Sequence, residues 1–229
     1  MVNDEYHEPV MVSEVLAHLN KKKRVIDATL GTGGHSLKLL EAGVKDLGIE
    51  ADPEILEIAR KRLEKEIEKN KLFLVHGNFK DINMIAKENG FDKVDGILFD
   101  LGVSNLQLMD ENRGFSFSNP KALLDARIDK EGQEVTGATL LNALRKDQLE
   151  VMFSKVLDLS SARWLTKRVL EKREVEPIRT VGDFLDICEG LVGKARLNPA
   201  TLPFLALRIA VNSEFENLKE ALPKAFDLL

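Results

Sequence analysis

One cysteine, Cys188, is too few for an internal disulfide or a cysteine-based zinc cluster, and it suits a reducing compartment. No apolar run approaches the roughly 18 residues of a membrane-spanning helix. The opening stretch, Met1 to Val10, is too polar for a secretory signal peptide, so a cytoplasmic protein is expected. Internal repeats and low-complexity tracts are absent. So is any excess of positive charge: 33 Lys+Arg stand against 38 Asp+Glu, a net −5. That balance argues against indiscriminate nucleic-acid binding and leaves room for a local basic patch. What is present is the stock of a folded protein: 229 residues, 44% hydrophobic and 31% charged. This excludes a disordered or collagen-like chain and suffices for one large domain or two small ones.

The first hundred residues alternate strand and helix signals. Val25 to Leu30 is a short apolar run ending in Gly31-Thr32-Gly33-Gly34, and Ser36 to Leu40 reads as a helix. Asp46 to Glu50 is a second strand, and Asp52-Pro53 starts a helix on which Ile55, Ile58, Ala59, Arg62, Leu63 and Ile67 recur at helical spacing. Leu72 to Val75 and Val94 to Asp100 are a third and a fourth strand. Near-continuous apolar strands joined by helices predict a parallel sheet covered on both faces. From Ser104 to Pro199 no strand is legible. Leu106 to Asp129 reads as loop; Thr139–Leu144, Gln148–Lys155, Ser160–Lys172 and Thr180–Leu191 read as helices, with Thr180 as an N-cap and Asp183 three residues on. Ala200–Ala210 and Ser213–Leu229 are helical again. The expected fold is therefore α/β: a Rossmann-like parallel sheet, cut short on its C-terminal side, with a helical insertion. The sheet domain is expected to take residues 1–104 and 205–229, and the insertion 105–204.

Four loops follow the four strands. Asp27 to Ser36 opens a helix with glycines that let a ligand approach backbone and helix N–H groups, or that simply make a tight turn. Gly34-His35-Ser36 lacks the lysine of a P-loop, and Ser36 stands where a dinucleotide fingerprint needs its third glycine. A nicotinamide-dependent oxidoreductase is disfavoured on that ground. Glu50 closes the second strand, where an acid can accept both hydroxyls of a ribose. Gly77-Asn78-Phe79 follows the third and offers an aromatic to a purine. Asp100 closes the fourth. Each residue alone has a plain structural reading; together they fall along one rim of one sheet.

The chain resembles the bacterial 16S ribosomal RNA (cytosine-N4)-methyltransferase family over nearly its whole length. The resemblance is carried by His7-Glu8-Pro9-Val10, the Asp27–Ser36 stretch, Gly77-Asn78-Phe79, Asp95 to Ser104, Gln107-Leu108, Arg113 to Phe117, Pro199-Ala200-Thr201, and Ala206 to Ile209 with Val211-Asn212. It implies S-adenosyl-L-methionine as cofactor, 16S rRNA of the small ribosomal subunit as partner, and methyl transfer to a cytosine amine. The cofactor contacts it implies are Gly33, Gly34, His35, Glu50, Phe79, Asp100 and Gln107; Glu50 is usually Asp in the family. Val156 to Leu159 and Leu202 to Leu205 also depart from the family's pattern, as does the absence of its later strands. A shortened relative that binds cofactor and RNA without turnover is the competing reading.

Asp100, Ser104 and Asn105 are candidates for accepting from the amine. Arg113 is a candidate RNA contact, and Phe115 or Phe117 could stack an extruded base. Between Lys155 and Arg173 six basic residues (Lys155, Arg163, Lys167, Arg168, Lys172, Arg173) face two acids (Asp158, Glu171), a net +4. Arg163, Lys167 and Arg168 are the chosen RNA contacts there. No cluster of residues at ligand spacing suggests a metal.

Overall fold

The apolar runs near the N-terminus form four short strands, and each crossover to a neighbouring parallel strand carries a helix. The structure, a computed structural model, describes residues 9–191 and 198–229; His7 and Glu8 of the N-terminal motif lie outside them. Two compact units emerge: Met1–Asn105 with Phe215–Leu229, and Leu106–Glu214.

In the first unit α1 (Val12–Leu19) precedes β1 (Arg24–Asp27). Leu16 and Leu19 of α1 pack on Val25, Leu39 and Val44. Next come α2 (Gly34–Glu41), β2 (Lys45–Glu50), α3 (Pro53–Arg62), α4 (Glu64–Glu68), β3 (Leu72–His76), a 3-10 turn at Phe79–Asp81, α5 (Ile82–Glu88) and β4 (Gly96–Leu98). The strands are parallel in the order β3-β2-β1-β4. Val25 pairs with Asp46 and Gly96, and Glu50 with His76. Val25, Ile26, Leu47 and Ile49 are fully buried, as strands covered on both faces must be. Among the described residues no strand pairs with the outer edge of β4.

The second unit holds most of α6 (Asn105–Met109), then α7 (Gly137–Ala143), α8 (Lys146–Ser154), α9 (Leu159–Val175), α10 (Val181–Cys188) and α11 (Thr201–Val211). Its aromatic centre stacks Phe153 on Phe184 and sets Phe184 against Phe204. Thr180 caps α10 in a capping box with Asp183. Among the described residues the unit has no strand, only an isolated antiparallel bridge between Leu123 and Thr180. The expected return to the sheet domain at residue 205 differs from this division: α11 lies wholly within the second unit, which runs to Glu214.

Helix α12 (Glu214–Leu228) then rejoins the first unit. Ala225 and Leu228 join the core of Ile26, Ile49, Ile82 and Phe91. Lys224 Nζ donates to the Lys80 carbonyl at 2.7 Å, and the Leu228 carbonyl accepts the Val94 N–H at 3.0 Å.

Candidate cofactor site

The strand order doubles back at β1, with β2 on one side and β4 on the other. In open parallel sheets ligands bind at the carboxyl ends of the strands beside such a switch point. The four expected loops all leave from that end. Gly33 is the N-cap of α2, with a left-handed φ of 79° that favours glycine and no side-chain cap. The first-turn N–H groups of α2 have no carbonyl within the helix to reach, so they suit a negative group. Gly34 leaves room for Pro9, whose Cγ stands 2.9 Å from where a Cβ would be. Arg62 of α3 braces the loop, donating to the Thr32 carbonyl and hydroxyl at 3.2 Å each.

Glu50 ties that loop to the turn before α3. Its Oε2 accepts the Gly31 N–H and its Oε1 the Asp52 N–H, both at 2.8 Å. Burial pushes its carboxyl up to about 7, against the opposing pull of those two N–H groups. An ionised carboxylate has about four acceptor positions; two are used by the backbone, which leaves capacity for a vicinal diol. Asp52 is the N-cap of α3, accepting from Glu54 and Ile55, as its position before Pro53 suggested.

Phe79 opens the 3-10 turn after β3, and the Asn78 side chain caps that turn by accepting from the Lys80 N–H at 3.0 Å. The Phe79 ring meets Phe99 edge to face, with centroids 5.7 Å apart. Asp100 follows β4 with an exposed carboxylate, and its N–H donates to Thr29 Oγ1 at 2.6 Å. His35 Nε2 lies 3.7 Å from Asp100 Oδ2, too far for a hydrogen bond. Burial holds the His35 pKa below its ordinary value, outweighing the upward pull of Asp100. His35 Nδ1 is buried with no partner among the described residues.

Two acids under the loop escaped the sequence reading of function. Asp27 and Asp46 are both buried. The Ser36 hydroxyl donates to Asp27 Oδ2 at 3.1 Å, and Thr29 N–H to Oδ1 at 3.2 Å. Neither Asp46 oxygen has a partner among the described residues. Burial pushes both carboxyls up, and their mutual repulsion adds to the shift of Asp46. An acid inside each of two apolar strands was the available signal.

Gly33, Gly34, His35, Glu50, Phe79 and Asp100 thus come together at one end of one sheet. Ser104 is half-buried and Asn105 exposed at the end of the first unit's main segment. Gln107 belongs to the second unit, buried on α6. Arg113 and Phe115, expected at an RNA surface, are buried instead. The Arg113 guanidinium donates to the Arg127 and Ile128 carbonyls, which fixes a long irregular segment from within. Phe117 packs against Phe204.

The basic run on α9 is also more balanced than its sequence count. Arg163 faces Glu150 of α8, Lys167 faces Glu171, and Lys172 pairs closely with Glu176. Arg173 donates to the Leu141 and Leu144 carbonyls at the end of α7. Arg168 lies over Trp164. Arg163, Lys167 and Arg168 remain exposed. Among the described residues no group of three or more His, Cys, Asp or Glu side chains is placed to hold a metal, and no helix is long and apolar enough to cross a membrane.

A parallel sheet with a glycine loop after its first strand and acids after its second and fourth defines the class: a Rossmann-like methyltransferase fold. The chain belongs to the MraW methylase family, whose model matches residues 4–229. It is 44% identical over 229 residues to the ribosomal RNA small subunit methyltransferase H of Methylacidiphilum infernorum (isolate V4), covering 98% of this chain and 71% of that protein. The protein of the same name from Hydrogenobaculum sp. (strain Y04AAS1) is 40% identical over 228 residues, 96% of this chain and 74% of its own. That of Thermotoga neapolitana is 38% identical over 227 residues, covering 95% and 73%.

Proposed function

We propose that this methyltransferase uses S-adenosyl-L-methionine to methylate the exocyclic N4 amine of a cytosine in 16S rRNA of the small ribosomal subunit, in the cytoplasm. The observation that carries the reading is the rim itself: a backbone-clasped Glu50, an open helix N-terminus after Gly33, and an aromatic pair at Phe79 stand at consecutive strand ends. These fit a ribose diol, a carboxylate and a purine in turn, the three recognisable parts of that cofactor. The names of the relatives favour small-subunit rRNA as the substrate.

When bound, S-adenosylmethionine supplies a methyl group activated by a positively charged sulfur. The protein's task is then to position and to accept a proton. Gly33, Gly34 and His35 would seat the amino-acid end, Glu50 the ribose, Phe79 the base, with Asp100 and Gln107 completing the contacts. The cytosine amine is a poor nucleophile because its lone pair is shared with the ring. An acceptor beside it favours the attacking geometry and takes the proton that N4 releases. Asp100 takes that proton, and Ser104 and Asn105 accept hydrogen bonds from the amine. Holding the amine in line can supply roughly 7–11 kcal/mol of the barrier. The unit Leu106–Glu214 is assigned to RNA recognition, through Arg163, Lys167 and Arg168; buried Arg113 and Phe115 are left out.

The test is transfer of a labelled methyl group to small ribosomal subunits lacking the modification, followed by digestion to nucleosides. N4-methylcytidine that disappears with Asp100→Ala is expected. Label on another base or on protein, or none from a chain that binds cofactor, would contradict the reading.

A further inference from the structure

We propose that Thr29 is a positioning residue for Asp100, acting through its hydroxyl on the peptide that carries the acid; this rests on the reading of the rim as a cofactor site. Strand β4 is three residues long and lies at the sheet edge. Backbone pairing with the β1 side reaches the Ala28 N–H to the Leu98 carbonyl, at 2.9 Å. Phe99 and Asp100 lie beyond that link, and Gly102 turns the chain with a φ of 146°. The Asp100 N–H is caught by a side chain from the neighbouring loop, Thr29 Oγ1 at 2.6 Å.

Thr29 is itself held. Its N–H donates at 3.2 Å to Oδ1 of buried Asp27, which also accepts from Ser36 Oγ of α2. A continuous path therefore runs from an acid inside the sheet, through Thr29, to the exposed acid at the rim. Branching at Cβ restricts the Thr29 rotamer, so the hydroxyl has few directions to choose from. Ala28 and Leu30, on either side, carry no acceptor side chain. On the α2 side His35 Nε2 stands 3.7 Å from the Asp100 carboxylate, too far to fix it by a hydrogen bond. The Thr29 clasp, rather than a bond to the carboxylate, sets where that carboxylate starts from.

Two substitutions separate shape from hydrogen bonding. Thr29→Val keeps the branched shape and loses the acceptor; Thr29→Ser keeps the acceptor and loses a methyl. Calorimetric titration of the full chain with S-adenosylmethionine is paired with amide hydrogen exchange at Asp100 in the ligand-free protein. The Val variant is expected to bind roughly three- to tenfold more weakly, the scale of one hydrogen bond, with faster exchange at the Asp100 amide. The Ser variant is expected to restore both. Wild-type affinity in the Val variant, or an unchanged Asp100 amide, overturns the proposal while leaving the cofactor reading intact. Equal loss in the Val and Ser variants also overturns it. Failure of the wild-type chain to bind overturns the cofactor reading and this proposal with it.

Discussion

Asp46 is a carboxyl buried on the second residue of a parallel strand, and the Ser36 hydroxyl proton is given to Asp27. Burial, with Asp27 close by, pushes its pKa from 3.8 up to about 8. Folding therefore favours the protonated form. The contribution is complete below the ordinary carboxyl pKa and is lost as pH rises through about 8. Asp46→Asn removes the charge while keeping the shape. Denaturant unfolding should show the variant more stable than the parent by about 1–3 kcal/mol at high pH, with the two converging in acid. Parallel curves across the range would mean that Asp46 stays ionised in the fold.

Helix α12 shows how one element divides its surface. Ala225 and Leu228 are buried, whereas Phe226 is 77% exposed and Phe215 and Leu222 are about half exposed. Leu228→Ala should cost about 2 kcal/mol or more through the cavity it leaves, while Phe226→Ala should stay within about 0.5 kcal/mol. Chemical unfolding of both variants checks the contrast, and similar costs would contradict the packing. The same helix marks a limit of sequence reading. Its period is legible in the chain, but both faces carry large apolar groups, so which one is buried depends on Phe91 and Ile82 far away in sequence. Helices α1 and α5 lie outside the elements expected from the sequence, although Val12, Val15, Leu16 and Leu19 recur at helical spacing on α1; at 8 and 7 residues both are too short for the period to stand out. The rim residues, by contrast, were legible, because a parallel sheet converts position after each strand directly into position along one edge. Glu50, Phe79 and Asp100 needed no knowledge of distant contacts to be placed. Arg113 and Arg173 did: each is spent on backbone carbonyls more than ten residues away, a pairing that no local pattern signals.

Across the whole molecule, the chain builds four strands by Leu98, leaves the first unit after Asn105 and returns at Phe215. The elements proposed to hold cofactor, apart from Gln107, therefore lie in the first unit. The groups proposed to meet RNA lie in the second. The net charge of −5 gives no general affinity for a polyanion, so the proposed RNA recognition must come from local groups and shape. Cofactor binding is the more basic claim, since every proposed contact but Gln107 stands on the rim. Titration calorimetry of the chain with S-adenosylmethionine, beside Asp100→Ala, tests it most directly. One-to-one binding that the variant loses is the expected result. No binding by a cooperatively folded wild-type chain, or equal binding by both, would contradict it.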